Sequence, residues 1–269
     1  MEKTSFTEIA LKKGVMHVYD FGKIKLHAYK TNDLIADECF LIQNGRECFM
    51  IENPCFFDNI AELENYVKEN SLDYKGAVIA YHGAAGASFF KNKADVKIYS
   101  TKNADEYNHS GDGAGLAKQF TQVFGESFDN SLFTTTDFIE EGPITICGVE
   151  LKIILTREAF DIEIPEINCV YTHMRGHDVH SIVAGSGHAD AIIKTLEGYI
   201  ENNVNLILTR HYVVEDMADV KTKIEYLSSL KNIAVKNVDG ESFKAAVKNA
   251  YPDYEGLNYL DMTTSMFFK

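Results

Sequence analysis

Cationic side chains are scarce in this sequence. Lysine and arginine total 26 against 40 aspartates and glutamates, a formal net charge of −14 over 269 residues. A surface of that sign repels nucleic-acid phosphates and anionic membranes, so neither is expected as a partner. Long apolar runs are missing too. No stretch approaches the roughly 18 apolar residues that a membrane span needs, and the opening MEKTSFTEIALKKGV is too polar for a signal h-region. Proline is sparse. Pro54, Pro143, Pro165 and Pro252 punctuate turns, with no proline-rich linker, low-complexity tract or repeat, so a single domain over residues 1–269 is expected. The five cysteines (Cys39, Cys48, Cys55, Cys147 and Cys169) form no CxxC pair, and none is flanked by an activating base. Most sit in apolar, strand-like runs, which points to reduced, buried thiols in a cytoplasmic protein.

What is present is a change of period along the chain. GVMHVYDFG, KIKLHAYKT, DECFLIQN and RECFMIENP alternate roughly as strands do. Asn44-Gly45 between the last two signals a type I′ hairpin. DNIAELENYVKENS then places Ile60, Leu63, Tyr66 and Val67 on one helical face, with Asp58 as N-cap. AVIAYH and ADVKIYST read as strands, residues 101–125 as helical or irregular, and ITICGVELKIILT and INCVYTH as strands again. HADAIIKTLEGYIENN is an amphipathic helix with Ile192, Ile193, Leu196 and Ile200 on one face. NLILTRH is a buried strand and DMADVKTKIEYLSSL a helix. KNIAVKNV is strand-like and ESFKAAVKNAY helical. Strands first, then strand and helix in alternation, make an α/β protein with a mixed sheet and helices on outer faces.

The stretch AVIAYHGAAGASFF ends a strand on His82 and follows it with glycine and alanine. With the hairpin FLIQNGRECFMIENP, the helix after it and ADVKIYST, it resembles the opening of a metallo-β-lactamase-fold protein, an αββα sandwich. The resemblance covers roughly residues 14 to 230, and the spacing is also similar to the lactamase-like half of flavodiiron proteins. The family's strands deliver histidine and aspartate loops to one edge, where a dinuclear centre makes hydroxide at neutral pH. Matched to this sequence, the family's ligand positions keep His82 and His211. The others fall on Ala84, Gly86, Ala87, Ala159 and Met174, none of which ligates such a cation. The resemblance therefore implies a hydrolase-like protein with an eroded dinuclear site, and no cofactor is expected.

Three readings of the eroded site stay open. In the first, one zinc or iron ion sits on a rebuilt histidine site drawn from His82, His173, His211, His177 and His180. His173, His177 and His180 are spaced i, i+4, i+7, one face if that segment is helical. In the second, guanidinium replaces metal. Arg157 and Arg210 stand inside the degenerate motifs and Arg175 adjoins a third, a set suited to a small anionic molecule, with Tyr81 beside it. His82 or His211 would serve as catalytic general base. In the third, the pocket is vestigial and the fold is a binding or dimerisation module. The aromatic C-terminus (Tyr251, Tyr254, Tyr259, Phe267, Phe268) suits an interface such as a homodimer's, or docking on the chain's own core. HSGDGAG, residues 109–115, reads as a loop over the pocket mouth, and Asp37 and Glu38 as a solvated strand start.

Overall fold

A computed structural model describes residues 4–81, 85–90, 95–173 and 176–268. The strands are β1 (Thr7–Ala10), β2 (Val15–Asp20), β3 (Ile24–Lys30), β4 (Glu38–Asn44), β5 (Glu47–Ile51), β6 (Asp73–Val78), β7 (Lys97–Ser100), β8 (Asp137–Phe138), β9 (Gly142–Ile146), β10 (Val149–Leu155), β11 (Phe160–Ile164), β12 (Cys169–Thr172) and β13 (Leu206–Thr209). The helices are α1 (Phe57–Glu69), α2 (Lys102–His109), α3 (Asp112–Phe124), α4 (Ser186–Glu201), α5 (Met217–Lys236), α6 (Gly240–Ala250) and α7 (Leu257–Phe267). The chain separates into two compact units. One spans Glu2–Met174 and Ile207–Val214, the other Arg175–Leu206 and Glu215–Lys269.

The larger unit holds the sheets. Strands β1 to β8 form one sheet in sequence order, and the second runs β13-β12-β11-β10-β9. The first five strands pair antiparallel. From β5 onward the pairing is parallel, because α1 carries the chain back between β5 and β6 and α2 and α3 do so between β7 and β8. Ile60, Leu63, Tyr66 and Val67 of α1 are buried, as their spacing predicts, against Met16, Leu41, Met50 and Ile98. The two sheets meet within this unit where Tyr171 packs edge-on to Phe40 and donates to Glu52. The smaller unit is helical. Its α5 begins on a capping box, Asp216 accepting from Ala218 and Asp219 while Asp219 accepts from Asp216. Phe243 and Phe267 stack within it, so the C-terminal aromatics dock on the chain's own helices.

Four local expectations are corrected. Gly45 has φ +63 and neither Asn44 nor Arg46 is left-handed, so the β4–β5 loop is Gly45-Arg46 with the φ pattern of a II′ turn. The I′ pattern occurs instead at Cys147-Gly148, φ +50 and +69. Asp58 lies in the first turn of α1 and pairs with Lys13, while Phe56 occupies the cap. Residues 109–115 are the end of α2 and the start of α3. KNIAVK continues α5 to Lys236, because its β-branched residues find no strand to pair with and the backbone completes its bonds within the helix.

Candidate functional site

Strand ends of the larger unit bring three rings together. Tyr81 follows β6, His173 follows β12 and His211 follows β13. The Tyr81 ring stacks on His173 with centroids 4.9 Å apart and planes 12° apart. His173 and His211 lie 5.5 Å apart, centroid to centroid. His211 is held from behind. Its Nδ1 donates to the Ile35 carbonyl at 3.1 Å and lies 3.3 Å from Asp37 Oδ1. A carbonyl only accepts, so Nδ1 carries a proton and Nε2 is the basic nitrogen of the neutral ring.

Tyr81 is fixed by a second set of contacts. Its hydroxyl donates to Asp161 Oδ1 at 2.8 Å and meets the Thr156 hydroxyl at 3.0 Å. Burial raises the pKa of Asp161, and hydrogen bonds from Tyr81 and Thr172 draw it back. Glu52, with an uncommon left-handed φ of +57, directly follows β5. One of its oxygens accepts from the amides of Ala80 and Tyr81 and from the Tyr171 hydroxyl. Burial lifts its carboxyl above the usual range.

Arg210 departs from the anion-pocket expectation. It is wholly buried, and Nη2 donates to Asp37 Oδ2 at 2.6 Å and to the Asn53 carbonyl at 2.9 Å. Nη1 donates to the Glu38 carbonyl and to Cys39 Sγ, both at 3.0 Å. Burial opposes its charge and Asp37 more than restores it, so the guanidinium stays protonated. Burial raises the pKa of Asp37, and Arg210 pulls it down. The guanidinium thus ties the start of β4 and the turn after β5 to the end of β13 rather than facing a ligand. Asp37 and Glu38 are fully buried, not a solvated strand start.

The remaining candidates are dispersed. The segment 177–180 is turn, not helix, so the i, i+4, i+7 face does not form. His177 sits in the smaller unit between Glu215 at 3.2 Å and Asp219 at 3.5 Å, and the hydrogen bond from Glu215 raises its pKa. His180 is buried against Tyr226, bonded at 2.9 Å, and burial lowers its pKa to about 4. Arg157 is exposed on the turn before β11. His82 and Arg175 lie outside the described residues.

Two of the positions matched to metal ligands offer none, Gly86 on steric grounds and Ala159 for want of a donor atom. Gly86 has φ +88, and a Cβ there would lie 2.4 Å from Asn53 Nδ2 and the Pro54 carbonyl. Ala159 is wholly buried with only a methyl group to offer. Among the described residues no group of three or more histidine, cysteine, aspartate or glutamate side chains is arranged to hold a metal ion. The sequence reading did not give the acids Asp37, Asp161 and Glu52 their supporting roles, and took Asp37 for a solvated residue, because a buried acid and a solvated one look alike in sequence. Glu52 directly before the Asn53-Pro54 turn was the nearest signal.

No protein-family model matches the chain, and no curated protein matches it. Solved structures do. The stereoselective inverting sec-alkylsulfatase Pisa1 from Pseudomonas sp. is similar at TM-score 0.62 and 14% identity, over 93% of this chain. A double mutant of that enzyme gives TM-score 0.63 at 15% identity over 92% of this chain. This chain spans about half, 49%, of the length of either. A metallo-β-lactamase from Pontibacter korlensis is similar at TM-score 0.50 and 13% identity, covering 83% of this chain and 98% of its own. The chain has the metallo-β-lactamase fold.

Proposed function

We propose that this chain is a hydrolase-like protein of the metallo-β-lactamase superfamily with an eroded dinuclear metal site, binding or hydrolysing a small anionic molecule in the cytoplasm. The observation that carries the reading is the ring cluster of Tyr81, His173 and His211, assembled where the fold's strand ends converge. The alkylsulfatase and the β-lactamase among its structural neighbours are both named for hydrolysis. The blocked Gly86 and the methyl of Ala159 support erosion. The chemistry then falls to imidazole. His211 Nε2 would take a proton from water, with Asp37 and the Ile35 carbonyl holding the ring. His173, stacked on Tyr81, would contact the anion beside it. Free thiols and the acidic composition support a reducing, nucleic-acid-free setting.

A second reading, one zinc or iron ion on His82, His173 and His211, draws on the same pair of rings. Metal content of the purified protein by mass spectrometry separates the two. Near-stoichiometric metal that falls in both His173→Ala and His211→Ala would install the mononuclear site. With no metal above background, titration with sulfate, phosphate and acetate should stabilise the wild type against heat and leave both variants unmoved. No stabilisation by any of them sinks the anion reading.

A further inference from the structure

One face of α1 borders a cavity that the ring cluster does not use. Asp58, Ala61, Glu62, Asn65, Tyr66 and Glu69 recur along it at helical spacing. Leu11, Lys12 and Lys13, from the turn between β1 and β2, close the other side. The volume is about 260 Å³. The lining shares no residue with the ring cluster or with the acids behind it.

Buried polar groups fix the walls. Glu62 accepts from the amides of Lys13 at 2.6 Å and Gly14 at 2.8 Å, and from the Tyr29 hydroxyl at 2.7 Å. Tyr29 is buried and accepts in turn from Asn59, whose amide also donates to the Thr31 carbonyl. Only glycine fits at position 14, since a Cβ there would lie 2.3 Å from the Lys30 carbonyl oxygen. Tyr66 is buried too, and its hydroxyl is held by His27 at 2.8 Å. Lys13 is engaged by Asp58, 2.6 Å away. Walls locked before a ligand arrives lose little freedom when it binds.

Three lining groups are left over. Lys12, Asn65 and Glu69 are exposed and, among the described residues, make no hydrogen bond or ion pair. One is a cation, one an anion, and one an amide that both donates and accepts. Leu11, Ala61 and the Tyr66 ring supply apolar surface. We infer that this cavity binds a small zwitterion with an apolar branch, a free amino acid of leucine's size, with its carboxylate at Lys12 and its ammonium at Glu69. A ligand of a single charge would leave either Lys12 or Glu69 unanswered. A polypeptide fits less well, because the volume is that of the smallest small-molecule sites.

The test is calorimetric titration of the full chain with L-leucine and three probes that each lack one part. Isoamylamine has no carboxylate, isocaproate no ammonium and glycine no branch. Leucine should bind most tightly. Loss of either charge should weaken binding about fivefold, the worth of one exposed ion pair. Glycine should bind at least about tenfold more weakly than leucine. Lys12→Gln should weaken leucine and isocaproate and spare isoamylamine. Glu69→Gln should weaken leucine and isoamylamine and spare isocaproate. Ala61→Trp, at an exposed helix position, fills the cavity and should abolish leucine binding, while His211→Ala should leave it unchanged. No leucine binding, binding that survives Ala61→Trp, or binding lost in His211→Ala overturns the cavity assignment. Leucine binding that Ala61→Trp abolishes but that neither Lys12→Gln nor Glu69→Gln changes overturns the zwitterion. The inference is independent of the anion reading, which turns on His173 and His211 and has its own titration.

Discussion

Arg210 shows how one side chain can change role between sequence and structure. In sequence it stands inside a degenerate ligand motif and invites an anion. In the structure its charge is consumed by Asp37 and by the carbonyls of Glu38 and Asn53. Removing it alone would strand a buried carboxylate. Arg210→Met should therefore cost about 3–5 kcal/mol in urea unfolding, and Arg210→Met with Asp37→Leu should recover much of the loss. His27 gives a pH prediction in the same unit. It is buried, its Nε2 donates to Gln43 Oε1 at 2.8 Å, and its Nδ1 accepts from the Tyr66 hydroxyl at 2.8 Å. Burial lowers its pKa from the ordinary 6.5, so the unfolded chain takes up the proton first. The stability His27 contributes is complete above pH 6.5 and is lost as pH falls from there toward the folded value. A urea-midpoint profile should show this acid limb, shallower in His27→Gln; identical limbs would refute the assignment.

Element by element, periodicity located the strands and helices and missed their ends. The α1 face was legible because Ile60, Leu63, Tyr66 and Val67 obey one period. Its cap was not, because Phe56 carries no capping side chain and Asp58 looks like one. The sharpest end in the molecule is that of α5, where Asp216 accepts two backbone hydrogen bonds, from Ala218 at 2.7 Å and Asp219 at 3.2 Å. Asp216→Ala should cost about 1 kcal/mol, read as a lowered melting temperature, with Asp216→Ser losing less. An unchanged melting temperature would mean that packing alone sets this terminus. Strands proved easier than loops because burial imposes their register where one face is covered: Val149, Leu151 and Ile153 of β10 are buried while Glu150 and Lys152 between them are exposed, so a one-residue slip would turn the apolar face to water.

At the scale of the whole molecule, charge is the property that needs no structure. An excess of acids giving −14 should keep the protein from retarding duplex DNA in a mobility-shift assay at physiological salt. Retardation that fades with added salt would show a basic patch that the composition conceals. Among the described residues no helix is long and apolar enough to cross a membrane. The sheets and the ring cluster all belong to the larger unit, so activity assays on variants of Tyr81, His173 and His211 report on that unit.

By itself the sequence determined the fold class and the order of elements, because hydrophobic period is a local property that survives at 15% identity or below. The positions matched to metal ligands came from the resemblance to the metallo-β-lactamase family, not from strand periods. Only the tertiary structure decided what stands there. Gly86 excludes a side chain because Asn53 and Pro54 approach it from a distant turn. Arg210 faces inward because Asp37, brought to β13 across the sheet edge, neutralises it. His173 meets Tyr81 and His211, while His177 and His180 engage Glu215 and Tyr226. Each outcome rests on partners tens of residues away along the chain, and a spacing rule sees only neighbours.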